Sequence, residues 1–149
     1  MTQKKSQRLA TLNKLAGWKE RDAAAAVGQQ QARLQAEQQQ LKDLRHYYRD
    51  YMQVIDQQKT LSRSELLNYR GFCQQLAKTI RQGEQRVANL EVELERKKEV
   101  WFVCRNKRLV LDEMTVRSVQ QEHQQIELQE QKEAADIWQI QRHLNNPSP

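Results

Sequence analysis

The sequence predicts an all-α chain, a long antiparallel two-helix coiled-coil hairpin with a C-terminal helical overhang. Three observations predict it. Gln, Lys, Arg, Glu, Ala and Leu dominate, and the two prolines, Pro147 and Pro149, are confined to the tail, a composition typical of long helices. Apolar residues recur on two separate heptad ladders. One short stretch between those ladders carries the signature of a helix start.

That stretch is Thr60 to Leu66. Ser62 can act as N-cap, and Glu65 stands three residues later, which makes a capping box. Leu61 and Leu66 are placed to form the accompanying hydrophobic staple. Helix one is therefore expected over about 3–59, a turn over about 60–62 and helix two over about 63–145, in one coiled-coil domain of residues 1–149. A chance Ser-x-x-Glu inside one uninterrupted helix is the competing reading.

Helix one opens with Leu9, Leu12, Ala16, Ala23 and Val27 at helical spacing, while Lys4, Lys5, Arg8, Lys14 and Lys19 occupy other faces. This basic amphipathic start fits one strand of a seam better than a helix lying on a membrane. Trp18 falls off the stripe, and Ala23 to Ala26 form a small-residue patch that a facing helix could approach closely. Gly17 and Gly28 each lower helix propensity by about 1 kcal/mol, but no proline follows them, so the helix is expected to continue. A heptad then runs through Val27, Leu34, Leu41, Tyr48 and Ile55, with Ala23, Gln30, Glu37, Leu44 and Tyr51 as companions. The seam is apolar at both ends and polar in the middle. The glutamine runs at 29–31 and 38–40 read as solvated helix faces.

Helix two carries Leu66, Cys73, Ile80, Val87, Leu94 and Trp101 on one rung. Tyr69, Leu76, Gly83, Leu90, Lys97, Cys104 and Leu111 form the other. In an antiparallel hairpin, facing residues share a constant sum of numbers. Ile55 with Leu66, Tyr48 with Cys73 and Leu41 with Ile80 all total 121, and Ala23 with Lys97, Ala16 with Cys104 and Leu9 with Leu111 total 120. Trp101 is expected opposite Glu20. Pairing should run out near residue 115, where the stripe slips by one position to Val116, Val119, His123 and Ile126, then Ile137, Ile140 and Leu144. About 30 residues, or about 45 Å of helix, would overhang with an apolar stripe and no partner in the chain, which suits a docking surface.

Catalytic patterns are missing from the sequence. His46, His123 and His143 lie far apart, the four glycines are isolated, and Cys73 and Cys104 form no Cys-x-x-Cys pair. On one helix the two thiols would be about 45 Å apart, so they are expected free and facing the seam, as suits a reducing cytosol. No enzyme activity, cofactor or metal is expected. No secretory signal fits the N-terminus, and no apolar run is long enough to span a bilayer. The net charge of +6 favours acidic partners weakly. A basic run, Arg96, Lys97, Lys98, Arg105, Lys107 and Arg108, is interrupted by Glu93, Glu95 and Glu99 at ordinary helix-pairing distances. The alternative functional reading is a basic coiled-coil nucleic-acid binder or a generic dimeric scaffold. The hairpin reading instead needs a monomer, and no nucleic-acid partner is expected.

Aromatic residues cluster near the turn: Tyr47, Tyr48, Tyr51, Tyr69 and Phe72. They form either a widened core or a partly exposed patch that binds another protein.

The pattern resembles the FliJ family, the small component of flagellar type III export related to the YscO-type proteins of injectisomes. The resemblance is carried by Leu-Ala-Thr-Leu-Asn-Lys-Leu-Ala at 9–16 with an Ala-rich run after it, then Leu44, Tyr47 and Tyr51, then Asn68-Tyr69-Arg70-Gly71-Phe72 with Leu76, and a basic stretch ending in Trp101. It covers about residues 8–115. It implies a stalk similar to that of rotary ATPases, whose terminal end enters the hexameric export ATPase and promotes its activity. The tip would reach the export-gate membrane protein, and the chain would also escort export chaperones. It would sit in the cytoplasm, peripheral to the inner membrane. On that resemblance Gln40, Leu44, Tyr47, Tyr51, Phe72 and Leu76 belong to the gate end, and Leu9, Leu12, Lys14, Val116, Val119, Ile126, Ile137 and Ile140 to the ATPase end.

Overall fold

The computed structural model describes residues 4–57 and 60–146. Two helices, α1 (Lys5–Gln57) and α2 (Arg63–Asn145), pack against each other, with no strand among the described residues. This is the all-α hairpin the heptads predict. The expected limits of helix one at 3 and 59 lie outside the described residues.

α2 starts where the cap signal places it. The Ser62 hydroxyl accepts the Glu65 backbone N–H at 3.2 Å, and the Ser62 carbonyl accepts that of Leu66 at 2.9 Å. One orphan N–H of the first turn is thereby satisfied. Only the hydroxyl half of the expected box forms: the Glu65 carboxylate makes no hydrogen bond or ion pair among the described residues. Arg142 and His143 in the last turn complement the negative end of the helix dipole.

Close packing divides the chain into two units, Arg21–Val103 and the remainder, up to Glu20 and from Cys104 on. Within Arg21–Val103 the helices run antiparallel. Leu34, Leu41, Cys73 and Leu94 are buried along the seam. The polar position Gln30 is only 2% exposed. Its amide donates to the Leu90 carbonyl at 3.2 Å and its oxygen accepts the Lys97 amine at 3.4 Å. Glu37 accepts the Arg86 guanidinium at 3.4 Å. Both polar seam residues are thus partnered across the helices, as buried polar groups must be.

These contacts correct the expected register. A Cβ on Gly83 would lie 3.1 Å from Leu41 Cδ1, so Leu41 faces Gly83, one turn beyond Ile80. The numbers of that pair total 124, not 121. Gln30, which touches Leu90 and Lys97, is bracketed around buried Leu94 with the same total. Lys97 accordingly reaches Gln30 rather than Ala23. The reason is geometric. In a coiled coil each knob enters a hole between four residues of the facing helix, and when the facing helix runs antiparallel the residue level with it belongs to the other rung. Matching like rungs misplaces the register by about one turn.

In the other unit the pairing is shifted in the same direction. Leu9, Ala16 and Ser118 are buried. Glu20 accepts a charged hydrogen bond from Arg108, where the heptads place Trp101, and Arg108 also donates to Asp112 at 2.8 Å. Asn13 donates to the same Asp112. α1 has no acidic residue in its own first turn. Glu122 of α2 supplies one: its carboxylate accepts the Ser6 backbone N–H at 3.1 Å and the Ser6 hydroxyl at 2.7 Å. Pairing therefore runs to Glu122, not 115. Residues 123–146 are exposed, so the overhang is shorter than expected. Val116 and Val119 do not continue the seam. They lie one position off it, on an exposed face, while the smaller Thr115 and Ser118 carry the seam onward.

Candidate functional site

In the Arg21–Val103 unit an aromatic cluster stands beside the turn. The Ser62 cap fixes the start of α2, and from there Glu65, Asn68, Tyr69 and Phe72 fall on one face of its first turns. Tyr51 of α1 meets them. Its ring centroid lies 4.7 Å from that of Phe72 in an edge-on arrangement and 6.1 Å from that of Tyr69. Tyr51, Glu65, Asn68, Tyr69 and Phe72 line a groove of ≈ 320 Å³. Phe72 is 46% exposed and Tyr47 is 55% exposed, so both are surface rather than core. Gln40 is exposed, whereas Leu44 and Leu76 are half-buried on the seam. Of the six tip residues expected from the sequence, Tyr51 and Phe72 are in direct ring contact. Sequence reasoning misses Glu65 and Asn68 as groove residues. It assigns Glu65 to the cap, whereas in the structure only the Glu65 backbone N–H bonds to Ser62.

In the other unit, Val116, Val119, Ile126, Ile137, Ile140 and Leu144 are all largely exposed along α2. Trp138 joins them, with the Arg142 guanidinium 5.3 Å from its ring centre. On α1 Leu12 is exposed, and with Leu15, Ala16, Lys19, Cys104, Lys107 and Leu111 it lines a groove of ≈ 190 Å³. Lys14 lies with its amine 5.6 Å over the Trp18 ring, and Trp18 is exposed as its off-stripe position predicts. Leu9 is different. It is 7% exposed and packs into the seam, beneath the surface on which Leu12 stands.

The titrating groups are structural. The Ser6 hydroxyl, the Ser6 backbone N–H and the nearby Lys4 hold the Glu122 carboxyl below its ordinary range. The hydrogen bond from Arg108 to Glu20 raises the guanidinium further. Burial pushes the Cys73 thiol up, which makes it a poor nucleophile. Cys73 and Cys104 are both free. Among the described residues no group of three or more His, Cys, Asp or Glu could hold a metal, and no helix is long and apolar enough to cross a membrane. Within the basic run Arg96 pairs with Glu93, Lys98 with Glu95, and Arg108 with Glu20 and Asp112, while Lys97 donates to the uncharged Gln30 oxygen.

The family model described as the flagellar FliJ protein matches residues 4–146. The chain belongs to the FliJ family. No curated protein and no solved structure matches it. The match covers all the described residues, including the part of α2 beyond Glu122 that the sequence resemblance does not reach. Membership places this FliJ-family chain in flagellar protein export.

Proposed function

We propose that this FliJ-family chain is a non-catalytic stalk that inserts into the hexameric export ATPase, promotes its activity and links it to the export-gate membrane protein. It also escorts export chaperones, and it works as a monomer in the cytoplasm at the inner face of the membrane. The observation that carries this reading is the presence of two separate exposed apolar surfaces on one hairpin chain. One is the aromatic groove of Tyr51, Tyr69 and Phe72; the other is the stripe from Val116 to Leu144. Exposed apolar patches of this kind mark interaction sites. The stripe, with Leu12 and Lys14, is assigned to the ATPase. The tip, with Gln40, Tyr47, Tyr51 and Phe72 on its surface and Leu44 and Leu76 beneath, is assigned to the gate.

Two variants test the division of labour. Phe72→Ala with Leu76→Ala should leave helicity nearly unchanged and weaken capture of the gate's cytoplasmic domain, while ATPase stimulation persists. Val119→Asp with Ile126→Asp and Ile137→Asp should abolish ATPase stimulation and spare gate capture. Loss of both functions from either variant, with circular dichroism unchanged, contradicts the assignment. Sedimentation showing a dimer contradicts the single-chain stalk.

A further inference from the structure

The tip groove has a chemistry that an apolar contact surface does not need. It is lined by three aromatic residues, one glutamate and one asparagine. Tyr51 is tilted 46° to Tyr69 and 61° to Phe72, so the rings border a recess instead of stacking into a slab. Glu65 stands at this recess with its carboxylate unpaired among the described residues. The cap does not use it, because only its backbone N–H bonds to Ser62. Among the described residues no Lys or Arg lines the groove.

From this we infer that the groove is a receptor for an arginine side chain of a protein partner. Ring faces carry negative potential and attract a cation, more strongly once water is displaced. A carboxylate beside them adds a full opposite charge and accepts two parallel N–H bonds from a guanidinium. Asn68, whose side chain carries a further acceptor oxygen, lines the same groove. An anionic ligand would meet Glu65 with repulsion, and a purely apolar one would strand its carboxylate without water. Arginine is preferred to lysine because its planar fork stacks on rings and engages a carboxylate bidentately, whereas an ammonium is a compact and strongly hydrated point charge. The inference rests on the reading of the tip as a partner surface. It does not depend on which partner docks there.

The test is an NMR titration of the full-length isotope-labelled chain with N-acetyl-arginine amide, following the backbone amides of residues 65–73. N-acetyl-citrulline amide, the uncharged isostere, and N-acetyl-lysine amide are titrated in parallel. The expected result is saturable shifts confined to this segment, at least fivefold weaker with either comparator. Glu65→Gln preserves a residue that can cap and should weaken arginine binding at least fivefold. Phe72→Leu should weaken it similarly with the helical spectrum unchanged. The inference is overturned by absent shifts, by citrulline or lysine matching arginine, or by Glu65→Gln binding as the parent does. Failure of gate capture with arginine binding intact would overturn the choice of gate and leave this site standing.

Discussion

Exchanging the volumes of Leu41 and Gly83 tests the register on which the seam depends. Leu41→Ala removes about three methylene equivalents, a loss of about 2.4 kcal/mol at about 0.8 kcal/mol each. The residual cavity raises this toward about 3 kcal/mol. Gly83→Leu gains about 0.8 kcal/mol of helix propensity. Against that, a bare Cβ at this position already lies 3.1 Å from Leu41 Cδ1, so the larger side chain overpacks the seam by about 1–3 kcal/mol. If the two sites were independent, the double variant would lose about 3–5 kcal/mol, adding these terms. If they share one layer, the leucine introduced in place of Gly83 fills the space Leu41 vacates. The double variant should then recover about 2 kcal/mol of that loss, within the range of contacting pairs. Urea denaturation of the parent, both single variants and the double variant, with m-values checked for constancy, measures the coupling. Additivity within about 0.5 kcal/mol would refute the Leu41–Gly83 layer and with it the register.

Other positions give independent outcomes. Gly28 and Gly71 have no positive φ, and an added Cβ meets nothing within 4 Å at either. Each Gly→Ala change should therefore add about 1 kcal/mol and raise Tm by about 2–4 °C; a thermal melt showing no gain would contradict the open surroundings. Glu122 is held below its unfolded pKa, so its cap stabilises above the unfolded value and is lost as pH falls through the folded one. Amide exchange in residues 5–9 should accelerate across that acid window, and Glu122→Gln should show the accelerated rate at neutral pH with a flatter profile. Gln30→Leu should keep or raise the melting temperature while lowering the preference for one register, as loss of a buried polar layer does in coiled coils; disulfide trapping of alternative pairings reads that directly.

Much of the fold is legible in the sequence because heptads and caps are local signals. The Ser62 hydroxyl and the Gln30 and Glu37 layers are where the pattern places them. The register is not legible from rung matching, since knob geometry offsets the partner by about one turn, and apolar identity alone does not separate Ile80 from Gly83 as the neighbour of Leu41. The end of pairing is hidden for a related reason. Hydropathy follows bulky residues such as Val116 and Val119, while Thr115, Ser118 and Glu122 continue the seam through small size and hydrogen bonding. Leu9, apolar and near the terminus, reads equally well as surface or core in the sequence, and only its burial separates the two. In the tip groove, Glu65 carries a strong cap signal that conceals its second position. A half-used capping box cannot be distinguished from a complete one in sequence.

The two units differ in what holds them, and that difference orders their opening. The Arg21–Val103 unit buries Leu34, Leu41, Cys73 and Leu94, area removed from water is insensitive to acid and only indirectly sensitive to salt, and its cross-helix ion pairs, Glu37–Arg86 and Arg45–Glu84, are exposed enough to add little. The other unit buries Leu9 and Ala16 and relies on Ser6–Glu122, Asn13–Asp112 and Glu20–Arg108–Asp112. Those side chains are partly exposed, so their attraction is screened by salt and contributes little each. The polar unit should therefore exchange its amides first, in residues 5–20 and 104–122, and its protection should fall further in high salt and in acid. Protection in residues 27–57 and 63–94 should change little under the same conditions. This gradient suits a chain whose polar unit carries the stripe proposed to dock, because low local stability is what allows a binding segment to adapt to a partner. Hydrogen exchange at low and high salt decides the matter: uniform loss of protection along both helices would mean one cooperative seam, and the distinction between a firm tip and a yielding end would fail.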